Sequence, residues 1–240
     1  MKLEICANSY HSAKNAQEAG AQRIELCSEL AIGGITPNYG LLKQVTENLS
    51  IETFVLIRPR SGNFTYSKAE FEIMKTNIVL CKNLGFSGVV SGVLNKDNTI
   101  DIERTKALIE LSKPMQFTFH RAFDWTPNPE QALQQLITLG ADRILTSGQN
   151  NSAEKGLEIL KILRDKAKNE IIILPGGGVS VENATLFKKE GFTEIHASLT
   201  TLEKVNAIPN ISMHSQKQYS ETHIAVSSFE KINKLLKNIK

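Results

Sequence analysis

Four short segments of this chain repeat one design. Gly20 to Leu26 reads GAQRIEL, Gly85 to Ser91 GFSGVVS, Gly140 to Thr146 GADRILT and Gly191 to Ala197 GFTEIHA. In each, a helix-like stretch stops at a glycine, the residue that most readily takes the left-handed conformation closing a helix, and a short strand begins about three residues later. A recurring joint of this kind is a helix returning to a sheet. Four more β-rich runs, at 3–6, 52–57, 115–119 and 171–174, bring the strands to eight. A helical segment follows each strand, at 9–19, 38–49, 67–84, 101–111, 129–139, 152–168, 180–189 and 229–239. Eight evenly spaced βα units predict an α/β protein, a closed (β/α)8 TIM-like barrel forming a single domain over 1–240, rather than an open doubly wound sheet. The segment 200–222, rich in Ser, Asn, His and Gln, reads as an irregular loop before the last helix.

Composition narrows the function classes. A net charge of +3 from 28 basic and 25 acidic side chains, with no Lys/Arg block interleaved with aromatics, argues against nucleic acid as a partner. The lysines of 231–240 fall on the polar face of an amphipathic helix whose other face carries Phe229, Ile232, Leu235, Leu236 and Ile239. No apolar run approaches the roughly 20 residues of a membrane helix. Three cysteines, an odd number, in a chain that opens directly on a strand without a leader pattern, lead us to expect a cytoplasmic protein without disulfides.

Side chains alternate along a strand, so parity assigns the barrel interior. Leu3, Ile5, Ile24, Leu26, Phe117, Phe119, Ile195 and Ala197 face the helices. Glu4, Cys6, Glu25, Cys27, Gln116, Thr118, His120, Glu194, His196 and Ser198 then face inward. Carboxylates inside a barrel are costly to bury unpaired. They serve either as a polar plug salt-bridged to a barrel arginine or as the wall of a pocket for a polar small molecule. In the pocket reading Glu4, Glu25 and His120 are the candidate catalytic acid–base groups.

The strand-five end, FTFHRAFD, places His120, Arg121 and Asp124 at the rim, with Phe123 and Trp125 walling the mouth. PGGGV after strand seven lets the backbone of Gly176, Gly177 and Gly178 approach an anion ahead of a helix expected from Ser180, with Ser198 and Thr200 on the partner loop. Arg58 and Arg60, braced by Pro59, suit a carboxylate or phosphate clamp, and Ser147 stands at the end of strand six. The ligand expected there is a small anionic or phosphorylated molecule.

Cys6 and Cys27 occupy equivalent positions on adjacent strands, about 5–6 Å apart, and a pair of soft thiolates is a candidate copper(I) site with His196 near enough to add a ligand. His120 lies across the barrel from them. No CxxC, Met-rich cluster or HExxH is present, and Cys81 reads as core.

The stretches ELCSELAIGGITPNYG (Glu25 to Gly40), LIRPRSGNFTYS (Leu56 to Ser67), FTFHRAFD (Phe117 to Asp124) and LTSGQ (Leu145 to Gln149) closely resemble the copper homeostasis protein CutC family, over Leu3 to about Ser198. The resemblance implies a TIM-like barrel, a cytoplasmic homo-oligomer, a role in copper homeostasis and copper bound by cysteines, for which Cys6 and Cys27 stand at the matching places. Where the family's first strand can read ICC, this chain has Ala7. Two readings follow: a copper-binding protein, or a barrel enzyme using Glu and His groups on a small anionic metabolite.

Overall fold

The computed structural model describes residues 1–205, 210–211 and 221–240. Eight parallel strands, β1 (Lys2–Ala7), β2 (Arg23–Leu26), β3 (Glu52–Leu56), β4 (Gly88–Ser91), β5 (Gln116–Phe119), β6 (Arg143–Thr146), β7 (Ile172–Pro175) and β8 (Glu194–Ala197), run side by side in the order β7-β6-β5-β4-β3-β2-β1-β8. The remaining seam, between β7 and β8, is bridged in parallel by Gly176 and His196. The molecule is therefore a nearly closed barrel of the expected class. Helices α1 (Tyr10–Ala19), α2 (Tyr39–Asn48), α3 (Lys68–Asn83), α4 (Ile102–Ser112), α5 (Pro129–Leu139), α6 (Leu157–Ala167), α7 (Ala184–Lys189) and α8 (Phe229–Ile239) alternate with the strands.

Local chemistry explains where these elements begin and end. The four joint glycines, Gly20, Gly85, Gly140 and Gly191, all have positive φ, between 79° and 89°. Ser9, Asn38, Ser67, Asp101, Asn128 and Ser228 each cap a helix start by accepting a backbone N–H. The helix expected from 180 begins only at Ala184, because Ser180 N–H donates to Asn183 Oδ1 at 2.8 Å and residues 180–183 form a turn. Likewise α6 begins at Leu157, not 152. Part of the expected 200–222 loop is ordered: β9 (Thr200–Lys204) pairs antiparallel with β10 (His223–Ser227). Most of that loop's remainder lies outside the described residues.

The strand parity holds. Leu3, Ile5, Ile24, Leu26, Phe117, Phe119, Ile195 and Ala197 all belong to the main core between strands and helices. Inside the barrel a separate small cluster contains Cys6, Cys27, Phe54, Leu56 and Val90. Phe54 fills the space opposite Gly88 so closely that a Cβ on that glycine would lie 2.6 Å from Phe54 Cζ. Gly88→Ala is therefore expected to lower stability by about 1–3 kcal/mol through overpacking, read as a lower urea midpoint at unchanged slope.

Candidate functional site

The lower part of the barrel interior is a chain of buried charges. Arg23 on β2 donates from Nε to Glu4 of β1 and from a terminal nitrogen to Glu194 of β8. Arg143 on β6 donates to the same Glu194 oxygen at 2.9 Å and to Gln116 Oε1 at 2.7 Å. Both guanidinium groups lie over the Phe54 ring, at 4.8 and 5.1 Å from its centroid. Strand geometry creates this arrangement: Arg23, Glu4 and Glu194 share inward parity on three neighbouring strands. Glu4 also accepts or shares a proton with His196 Nδ1 at 2.7 Å, so both of its oxygens are committed.

Above this floor, at the carboxyl ends of the strands, lies a cavity of about 450 Å³. Its base is formed by Cys6, Glu25 and His196, and its rim by Arg58, His120, Arg121, Gly177, Gly178 and Ser198. Cys6 Sγ lies 3.6 Å from Cys27 Sγ, and both thiols are free and buried. Glu4, Glu25 and His196 each offer a ligand atom within 4.8 Å of the others.

Glu4 and Glu25 are neighbours with opposite protonation tendencies. Burial alone would raise Glu4, but the Arg23 charge and the hydrogen bonds with His196 and Arg23 outweigh it and hold the carboxyl at about 2. For Glu25, burial dominates and Glu4 adds repulsion; together they exceed the pull of His196 and Arg23 and raise it to about 7. Burial opposes charge on His196 too, yet its hydrogen bonds with Cys6 and Glu4 and the fields of Glu25 and Glu4 raise it well above the usual range. His120 goes the other way: burial first, then the Arg58 charge, depress it to about 3, so its ring is neutral. The Cys27 contact and then burial push the Cys6 thiol well up.

Several expected site residues stand elsewhere. Glu4 is fully buried and does not line the cavity, because its oxygens bind Arg23 and His196. Arg60 turns outward to Glu70 and to the carbonyls of Asn63 and Thr65, so it does not reach the cavity. Ser147 is buried and bonded to Asp124 and Arg121. Gly176 belongs to the barrel seam, where a Cβ would lie 2.4 Å from Leu145 Cδ1. Cys27 sits behind Cys6 rather than on the cavity wall. Asp124 lines the cavity but is spent on Thr146, Ser147, Gln149 and Arg121. Thr200 starts β9.

Sequence reasoning missed Arg23 and Arg143. A signal for both was present: they occupy the same place in two of the repeated joints, GAQRIEL and GADRILT, and Arg23 has the inward parity of Glu25. Phe64 was also missed; it packs on His120 at 4.8 Å and on Trp125 at 4.9 Å.

Fold and site define a TIM-like barrel protein with a polar cavity above a charged floor at the carboxyl ends of its strands. The family model for CutC matches residues 1–201, and the chain belongs to the CutC family. It is 48% identical to a family protein CutC of Photorhabdus laumondii, over 84% of this chain and 81% of that one. It is 46% identical to the human copper homeostasis protein cutC homolog, over 82% of this chain and 72% of the relative. A crystal structure of CutC from Streptococcus agalactiae superposes with a TM-score of 0.77 at 35% identity, covering 82% of this chain and 97% of that one. A thiamine phosphate pyrophosphorylase from Pyrococcus furiosus, at 15% identity and a TM-score of 0.60, covers 99% of this chain and 95% of its own, and shares the fold.

The buried ion pairs are expected to be asymmetric in their energetics. Arg23→Met leaves Glu4 and Glu194 short of a partner and should cost about 3–5 kcal/mol in urea unfolding. Lys14→Gln, which breaks the exposed Lys14–Glu18 pair, should cost under about 1 kcal/mol.

Proposed function

We propose that this protein serves copper homeostasis in the cytoplasm by holding Cu(I) at Cys6 and Cys27. One observation carries the reading: two free thiols from adjacent strands lie 3.6 Å apart, and one of them, Cys6, lines a cavity open at the barrel mouth. Soft thiolates select Cu(I), and a reduced pair at contact distance suits a reducing compartment.

The donor set fits such an ion. Sulfurs at that spacing could both reach one ion, with a position left for a third donor. His196, which shares the cavity base with Cys6, is the side chain in place to supply it once a ring proton is released. The copper homeostasis names of mammalian relatives support the same assignment. The cavity gives the ion an entrance, and Phe54, Leu56 and Val90 pack with the two thiols in one buried cluster.

Anaerobic titration with Cu(I) against a competing chelator should give one equivalent bound per chain. Cys6→Ser and Cys27→Ser should each abolish retention, whereas Cys81→Ser, on the buried face of α3, should leave it intact. Undiminished retention in both site variants would remove the proposal.

A further inference from the structure

Side-chain donors left without partners in a protein interior are costly, roughly 1–3 kcal/mol each, and those that line a cavity are candidates to meet an acceptor on a ligand. Among the described residues, His120 Nε2 and Arg58 Nε are two such buried donors, and both residues line the cavity. The tautomer of His120 follows from its surroundings. Its Nδ1 accepts the Ala122 N–H at 3.2 Å, so the neutral ring carries its proton on Nε2 and is a donor without an acceptor. The ring is fixed in that pose by Phe64 and by Gly92, where a Cβ would come within 2.7 Å of Nδ1. Arg58 is equally fixed: its terminal nitrogens bind the carbonyls of Ile32, Gly34 and Gly62, which leaves Nε, and the Tyr66 hydroxyl is near enough to feel its charge.

A third cation borders the same space. Arg121 bonds Asp124 through Nε at 2.8 Å and Ser147 through Nη2 at 2.8 Å, while its Nη1 lies against the Gly177 backbone, 3.1 Å from where a Cβ would stand. Gly177 has φ +101°, so the loop both requires glycine and leaves room for the guanidinium. On the opposite wall, Glu25 Oε2 is a buried acceptor without a hydrogen-bond donor. His120 follows β5 and Glu25 lies on β2, so donors and acceptor face one cavity from different sides of the barrel. Its volume, about 450 Å³, is in the range of small-ligand pockets, about 300–1,000 Å³.

We propose that the cavity binds a small organic oxyanion, a carboxylate or phosphate monoester, whose charged end is held by Arg58, His120 and Arg121 and whose hydroxyl donates to Glu25. This ligand is separate from copper and uses donors of the opposite chemical character. Arg121 gives the site its electrostatic pull from the half-exposed rim, and His120 gives direction, since a neutral N–H donates without requiring a counter-charge.

Calorimetric titration of the metal-free protein, kept in chelator, tests this independently of the copper reading. The probes are sn-glycerol 3-phosphate for the phosphate arm, malate for the carboxylate arm and glycerol as the uncharged control. Saturable binding of one oxyanion at concentrations up to about 10 mM is expected, with glycerol silent, and the arm that binds identifies the head group. Arg121→Gln, at the exposed rim, should weaken that binding roughly 10-fold or more, and His120→Phe, which keeps the ring and deletes the donor, by a similar factor. Absence of saturation with both oxyanions overturns the proposal, as does unchanged affinity in both variants.

Discussion

The ion pairs from Glu4 through Arg23 and Glu194 to Arg143 are the interaction on which the rest of this barrel depends. A barrel closes only if the two edge strands of its sheet meet, and here the ladder between β7 and β8 is reduced to one bridge at Gly176 and His196. Arg143 on β6 and Glu194 on β8 straddle β7, so their 2.9 Å contact spans the weak seam from inside. Arg23 then ties β8 to β2, passing over β1, while binding Glu4 on β1 itself. Removing these charges from water is unfavourable, and their mutual attraction offsets that cost only while every member is present. Phe54 gives both guanidiniums a flat surface to lie on, which uses the weaker hydration of arginine planes.

The floor also sets the chemistry above it. Glu4 and Glu25 are the same residue type on adjacent strands, both buried, yet one remains an anion and the other sits near neutrality. The difference is a partner: Arg23 binds Glu4 directly, whereas Glu25 feels Arg23 only at a distance and is left with a long 3.7 Å approach to His196. Glu25 can therefore gain or lose a proton near pH 7, while the ionised Glu4 holds a proton on His196. The ion pair below the cavity thus acts on two groups that line it, holding the proton on His196 and adding, through Glu4, to the effect of burial on Glu25.

Much of this was readable from the residues. The repeated glycine joints encode a backbone requirement that is local, and a local requirement survives in sequence; their φ values near 80° are its direct expression. Inward parity was also readable, because it depends only on alternation and on which face is apolar. What parity cannot supply is the pairing of inward groups. Glu4 and Glu25 looked equivalent, and only the register, which sets Glu4 beside Arg23 and Cys6 beside Glu25, separates them. Arg60 shows the same limit: in the string RPR both arginines follow a strand, but Glu70 in the capping box of α3 draws one of them outward. The late start of α7 had a different cause, an Asn183 side chain that closes a turn before the helix.

The cavity wall divides by chemical softness. Sulfur lies at the base, beside an apolar cluster and a raised histidine, while the hard N–H donors of Arg58, His120 and Arg121 stand at the rim. A thiophilic cation and an oxyanion would therefore not compete for donors, since each set rejects the other ligand: guanidinium groups repel a metal ion, and thiols offer an oxyanion only weak donors. The two ligands would still meet within one volume of about 450 Å³, in a medium less polar than water, and two thiols that release their protons to hold one Cu(I) become a site of net negative charge. Occupancy of the base by copper should then disfavour occupancy of the rim by an anion, and the coupling must be reciprocal.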